Sequence, residues 1–244
     1  MSAPGTRSLA IIGMGKMGHV LAELAPARGW NVVATIDSSR NEQGRGITPA
    51  SLAGAGVAID FTVPSAAVAN VKAAVSAHCP IVVGTTGWYE ELPALATWVR
   101  DHDGTMLTGS NFSLGVNAFE RIVAVAGRLL ARVPGFDAHL VETHHAAKKD
   151  APSGTALTLA RATATGWREQ HGDVPITSVR TGSVPGTHEL LFDAPFESIH
   201  LSHVARDRRV FAEGALVAAG WLIGRRGVFT MRDVLDGDSE EPMP

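Results

Sequence analysis

The chain has 244 residues, a formal net charge of -3, 45% hydrophobic and 18% charged residues, and a single cysteine, Cys79. These values suit a soluble globular protein of one large or two smaller domains, and they give no general attraction to nucleic acid or acidic membranes. One cysteine excludes an intramolecular disulfide framework and a multi-cysteine zinc site, and the apolar runs are too short to span a bilayer. The opening MSAPGTRSLAIIGMG lacks the parts of a signal peptide, so a cytoplasmic location is expected.

Ser8 to Ile12 reads as a short apolar strand, and Gly13-Met14-Gly15-Lys16-Met17-Gly18 then opens a helical pattern through Val20, Leu21, Leu24 and Ala27. Val32 to Ile36 is the next strand, ending at Asp37 before a polar loop from Ser38 to Gly46. Val57 to Thr62 is a third strand, and Ser65 is placed to cap the helix that carries Val68, Val71, Ala74 and Val75. Pro80 to Val83 leads into Gly84-Thr85-Thr86-Gly87, Tyr89 to Val99 is helical, and Met106 to Thr108 precedes Gly109-Ser110-Asn111-Phe112. This alternation predicts an α/β fold with a Rossmann-like, doubly wound parallel sheet whose ligand lies at the carboxyl ends of its strands.

After Ser113 the rhythm changes. The pattern gives a helix from Val116 to Leu130, a strand from Ala138 to Thr143 and a helix from Thr155 to Trp167. Ile176 to Arg180, His188 to Phe192 and Ser198 to His203 alternate as the strands of a second, mixed sheet. Gly214 to Leu222 is helical, Val228 to Met231 returns to the first domain, and the acidic end from Asp236 is expected to fray. The expected division is a dinucleotide-binding domain of residues 1–111 plus 215–244 and a second α/β domain of residues 112–214.

The Gly13-x-Gly15-x-x-Gly18 spacing permits a tight turn, approach of a pyrophosphate to backbone amides and close helix–strand packing. Its context, between a strand and a helix and with Asp37 ending the next strand, raises dinucleotide binding above the alternative of a simple tight turn. Asp37 suits ribose hydroxyls whereas Arg40 suits a 2′-phosphate, so NADH and NADPH are both open. Gly84 to Gly87 and Gly109 to Phe112 sit at the same sheet edge and either line the nicotinamide or are plain polar loops.

The segment Glu142-Thr143-His144-His145-Ala146-Ala147-Lys148-Lys149-Asp150-Ala151-Pro152-Ser153-Gly154-Thr155 sets two imidazoles and two ammonium groups before a helix start. Neighbouring His144 and His145 point to opposite sides of a strand, so the chain must turn for both to meet one ligand. Ser153 or Asp150 is a helix cap, and the Gly154 and Thr155 amides with the Thr155 hydroxyl suit a substrate carboxylate. Glu142, His139, His144 and His145 are metal-ligand types, but without a His-x-x-x-His spacing or a cysteine pair no metal is expected. Arg180, His188, His200, His203, Arg206, Arg208 and Arg209 read mostly as surface or interface residues.

Gly13-Met-Gly-Lys-Met-Gly18, Asp60-Phe-Thr-Val-Pro64, Val83-Gly-Thr-Thr-Gly87, Ser110-Asn-Phe-Ser-Leu-Gly-Val-Asn117 and the Glu142 to Thr155 segment together closely resemble the 4-hydroxy-tetrahydrodipicolinate (dihydrodipicolinate) reductase family. The resemblance spans nearly the whole chain, and its His-His-x-x-Lys-x-Asp-Ala-Pro-Ser-Gly-Thr segment is its most specific part. It implies reduction of a cyclic imine dicarboxylate by NADH or NADPH to tetrahydrodipicolinate, in the diaminopimelate route to lysine. His144 and Lys148 then match the proton donors, and His145, Ser153, Gly154 and Thr155 the substrate-binding positions. Gly13, Met14, Gly15, Lys16, Met17, Gly18, Asp37, Arg40, Gly84, Thr85, Thr86, Gly109, Ser110, Asn111 and Phe112 match the cofactor lining. The family further implies a homotetramer built through the second sheet. The glycine turn is one residue shorter than in many members and carries Lys16 where they have arginine, which leaves the cofactor preference open. Other readings are a different two-domain NAD(P)-dependent dehydrogenase, or a non-catalytic dinucleotide sensor that needs no His-His-x-x-Lys segment.

Overall fold

A computed structural model describes residues 7–237. In chain order the elements are β1 Arg7–Ile12, α1 Lys16–Leu24, β2 Trp30–Ile36, β3 Val57–Asp60, α2 Pro64–Ser76, β4 Ile81–Val83, α3 Leu92–Asp101, β5 Thr105–Thr108 and α4 Leu114–Leu130. They continue with β6 Asp137–His144, α5 Gly154–Ala164, α6 Arg168–His171, β7 Ile176–Arg180, β8 Thr187–Ala194, β9 Glu197–Val204, α7 Arg209–Leu222, β10 Gly227–Thr230 and α8 Met231–Asp236. They divide into two compact units: one runs to Ser113 and resumes at Phe211, and the other is Leu114–Val210.

The first unit holds a six-stranded parallel sheet in the order β10-β5-β4-β3-β1-β2. Its central strands are short apolar runs covered on both faces, as a parallel sheet requires: Leu9, Ala10, Ile11, Ile12, Ala58 and Ile59 are all fully buried. The chain leaves β1 toward β2 on one side and resumes at β3 on the other, which opens a crevice between the carboxyl ends of β1 and β3. As expected from its sequence, β10 returns to this sheet beside β5.

The second unit holds a mixed sheet in the order β7-β6-β8-β9, in which β6 runs parallel to β7 and antiparallel to β8. Helices α4 and α5 pack together, and Gly127 lets them approach closely because a Cβ there would lie 2.2 Å from the Thr163 carbonyl oxygen. The core beneath them is built from Phe119, Val123, Leu140, Leu159, Trp167 and Phe192.

Several boundaries differ from the sequence pattern for local reasons. The third strand stops at Asp60 because the Asp60 carboxylate accepts the Thr62 amide (2.9 Å) and turns the chain. Helix α2 begins at Pro64 with Val63 before it, so Ser65 lies inside the first turn and is not the cap. The helix after Thr155 ends at Ala164, since Gly166 takes a left-handed φ of 84°, and Trp167 stacks instead on His171 in the separate short α6. The third helix starts at Leu92 rather than Tyr89, with Pro93 in its first turn. Asp236 closes α8, and the remaining acidic tail lies outside the described residues. Among the described residues, no helix is long and apolar enough to cross a membrane.

Candidate active site

In the first unit the glycine turn carries the geometry a dinucleotide needs. Gly13 follows β1 with a left-handed φ of 90°, and a Cβ there would lie 2.3 Å from the Phe61 carbonyl oxygen. A Cβ on Gly18 would lie 2.0 Å from the Gly13 carbonyl oxygen, so helix and strand meet closely. At Gly15 a Cβ would meet nothing within 4 Å, which leaves open space in front of the first helical amides of α1. One tight turn, one open approach and one close packing are the three requirements of a pyrophosphate loop, so the residues present fit a dinucleotide. Met14 and Met17 are partly exposed around this turn, and Lys16 is exposed.

Asp37 stands at the carboxyl end of β2, where hydrogen bonds from the Ser39 hydroxyl (2.5 Å) and amide (2.8 Å) hold its carboxyl below the usual range. Arg40 follows it, exposed. Gly84, Thr85 and Thr86 follow β4. Gly84 must lack a side chain because a Cβ would lie 2.1 Å from the Phe61 ring, and Thr85 turns inward to Asp60 while Thr86 is exposed. Gly109 to Phe112 follow β5: Asn111 accepts the Ser113 amide at 2.8 Å, and buried Phe112 meets Phe61 edge-on at 6.1 Å. Each of these groups therefore occupies a carboxyl end of the same parallel sheet.

In the second unit the chemistry gathers by strand register. Glu142 on β6 faces Ser178 on β7 and His188 on β8, and His188 faces His203 on β9, so one row crosses the sheet. Two residues further on, His144 pairs with Arg180. Glu142 is fully buried. Its Oε1 accepts Arg180 Nη2 (2.7 Å) and, more weakly, the Ser153 amide (3.3 Å), and its Oε2 contacts His144 Nδ1 as an ion pair rather than a linear hydrogen bond. Arg180 also donates to the Asp150 carbonyl oxygen at 2.6 Å, which ties the loop before α5 to the sheet.

Burial raises the Glu142 carboxyl, but hydrogen bonds from Arg180 and Ser178 and the nearby charges outweigh it and bring the group down to about 2. Burial lowers the His144 imidazole below its ordinary value despite the carboxylate beside it. It pushes His188 down to about 4, aided by His144. The two imidazole rings meet edge to face, 5.2 Å apart, and His188 Nε2 lies 3.5 Å from Ser153 Oγ. The site thus holds a fixed carboxylate charge next to an imidazole able to change its protonation.

Strand β6 ends at His144 and the chain turns, with the Lys148 amide donating to the His145 carbonyl oxygen (3.1 Å). His144 therefore faces inward, while His145 lines a cleft of about 520 Å³ with Gly182, Pro185, Asp207 and Arg208. Partly buried Lys148 pairs with Asp150 at 2.9 Å. Ser153 caps α5 by accepting the Ala156 amide (3.2 Å), partly buried Thr155 lies in the first turn, and Gly154 faces open space.

In the sequence His188 and Arg180 read as surface or interface residues, and Glu142 as a metal-ligand type. The pairing register brings them to His144, and local patterns do not encode it. Of the metal-type residues, Glu142 and His144 do come together, but with His188 in place of His139 and His145, their ligand atoms lying within 4.8 Å of one another. His139 instead hydrogen-bonds Thr177 at 2.8 Å. Arg180 already neutralises Glu142, which favours proton handling over cation binding in this group.

Comparison with known proteins agrees with both halves. The family description "Dihydrodipicolinate reductase, N-terminus" matches residues 7–112 and "Dihydrodipicolinate reductase, C-terminus" matches residues 115–235. A 4-hydroxy-tetrahydrodipicolinate reductase from Christiangramia forsetii is 33% identical over 93% of this chain and 97% of its own length. Another from Methanoregula boonei is 42% identical over 73% of this chain and 74% of its own length. In fold, the chain is similar to a dihydrodipicolinate reductase from Paenisporosarcina with bound dipicolinate, at a TM-score of 0.75 and 20% identity, covering 92% of this chain and 97% of that one. The chain belongs to the dihydrodipicolinate reductase family, enzymes that use NADH or NADPH to reduce 4-hydroxy-tetrahydrodipicolinate in the diaminopimelate route to lysine.

Proposed function

We propose that His144 and Lys148 handle the protons of this reduction, that His145, Ser153, Gly154 and Thr155 hold the substrate carboxylates, and that Glu142 with Arg180 sets His144 in place. The observation that carries this reading is the contact of buried Glu142 with His144 immediately before the capped start of α5. Glu142 offsets the charge when His144 takes a proton and fixes the ring, as carboxylates do for catalytic imidazoles. Gly154, whose Cβ position is open, lets a carboxylate approach the start of α5, where the helix dipole favours negative charge.

In the first unit, bound reduced nicotinamide would supply the hydride. The Gly13–Gly18 turn receives the pyrophosphate, Asp37 and Arg40 flank the adenosine ribose, and Gly84–Thr86 with Gly109–Phe112 line the nicotinamide. The first unit is then the dinucleotide domain, and the second the domain of substrate binding and of assembly into a homotetramer in the cytoplasm.

A coupled assay tests the reading. Substrate is generated in place from pyruvate and aspartate semialdehyde by its synthase, and loss of reduced nicotinamide absorbance is followed with NADH and with NADPH. Enzyme-dependent loss with at least one cofactor is expected, and no loss with either would reject the proposal.

A further inference from the structure

Asp60 is a fully buried carboxylate that belongs to none of the groups assigned above to proton handling. It lies at the end of β3, beside the crevice where the sheet order reverses. Its Oδ1 accepts the Thr62 amide (2.9 Å), the Thr62 hydroxyl (2.7 Å) and the Thr85 hydroxyl (2.8 Å), and its Oδ2 accepts Asn70 Nδ2 (2.7 Å). The chain of bonds goes on outward. Asn70 Oδ1 accepts Asn41 Nδ2 (2.8 Å), and Asn41 Oδ1 accepts the Gly46 amide (3.1 Å). Burial raises the Asp60 carboxyl while these donors draw it back.

This chain touches three loops assigned above to the cofactor. Thr62 crowds the Gly13 turn, where a Cβ on Gly13 would lie 2.8 Å from Thr62 Cγ2. Thr85 belongs to the loop after β4, and Asn41 to Gly46 is the loop after Asp37 and Arg40. We infer that Asp60 is a positioning residue that locks the pyrophosphate, ribose and nicotinamide loops into one arrangement through the Thr62, Thr85 and Asn70–Asn41–Gly46 bonds. The inference rests on the cofactor assignment proposed above.

The polarity of the chain makes the claim testable. In Asp60→Asn the new amide can keep its acceptor toward Thr62 and Thr85 only by pointing NH2 at the Asn70 NH2. Flipping Asn70 moves the clash to Asn41, and flipping Asn41 moves it to the Gly46 amide, which is main chain and cannot flip. With the oxygen toward Thr62 one mismatch therefore remains along this row, and with the NH2 toward Thr62 the new amide faces the Thr62 N–H, which is left with Thr85 Oγ1 alone (2.7 Å). Adding Asn70→Asp removes the mismatch along the row, because a carboxylate at position 70 accepts from both neighbours.

The experiment measures NADH and NADPH dissociation constants by titration calorimetry on the full chain, with thermal melts as a check of folding, and then KM and kcat in the coupled assay. Asp60→Asn should bind cofactor about tenfold more weakly, equivalent to about 1.4 kcal/mol, with KM for cofactor raised and kcat at saturation within about twofold, the arrangement of the loops being the only loss. Asp60→Asn/Asn70→Asp should return to within about twofold of wild type. Wild-type affinity in the single variant, or a double variant no better than the single, overturns the inference while leaving the reductase reading intact. Wild-type protein that binds neither cofactor overturns both. If Asp60→Asn does not accumulate as folded protein, Asn41→Ala at the outer end of the chain is used. A dissociation constant raised about threefold supports the inference, and an unchanged one overturns it.

Discussion

Asp60 and Glu142 are both fully buried carboxylates at the working ends of their sheets, yet their surroundings oppose each other. The four donors to Asp60 are all uncharged, and burial raises its carboxyl. Glu142 has a guanidinium on one oxygen and an imidazole on the other, and is brought down to about 2. Burial is common to both, so the charge of the neighbours decides the outcome. A carboxylate among neutral donors acts as a fastener of loops, whereas one between two basic groups holds a permanent charge beside a titrating ring.

The contrast breaks most sharply at Glu142. Glu142→Ala leaves buried His144 and partly buried Arg180 without their carboxylate and should destabilise the fold by about 4 kcal/mol, measured by urea denaturation. A loss under about 1 kcal/mol would mean that the pair behaves like an exposed one.

The next effect separates the titrating groups. His188 falls to about 4 from 6.5 in the folded protein, so between those values the unfolded chain takes up a proton that the folded chain refuses. Stability is therefore complete above about pH 6.5 and declines as the pH drops toward 4, by about 3 kcal/mol from this group. Lowered His144 and His203 act in the same direction. Glu142 is lowered instead from 4.5, so its contribution is present above that value and is lost as the pH falls toward 2. Thermal melts between pH 7 and 5 should thus shift downward in wild type and clearly less in His188→Gln. Equal shifts would remove His188 from the account.

A smaller contrast lies within the glycine turn. Gly13→Ala forces a left-handed residue and a Cβ against the Phe61 carbonyl, and should lower stability by about 2 kcal/mol. Gly15→Ala meets nothing and should leave the melting temperature unchanged while still weakening cofactor binding. If both variants melt alike, the open approach at Gly15 is not distinct from the tight turn at Gly13.

Local chemistry made much of this legible in the sequence. The three glycines, the strand alternation up to Thr108 and the return of β10 follow from periodicity and turn residues, and Ser153 is a cap as its position implied. What stayed hidden depends on pairing between distant segments. His188 and Arg180 look like scattered surface residues until β8 and β7 are set against β6, when Glu142 falls opposite His188 and His144 opposite Arg180. Asp60 reads as one position within the strand Val57 to Thr62, because its partners come from the turn after β3, helix α2 and the loop after β4. The misplaced Ser65 cap had a local cause, since Pro64 occupies the first helical position and moves the start two residues earlier.

The central claim is that His144, held by Glu142, handles a proton of the reduction, and the most direct test is turnover of folded His144→Gln beside wild type in the coupled assay, with cofactor affinity measured on the same protein. Turnover should fall by about 10²-fold or more with the dissociation constant of the reduced nicotinamide unchanged. Wild-type turnover in folded His144→Gln would contradict it.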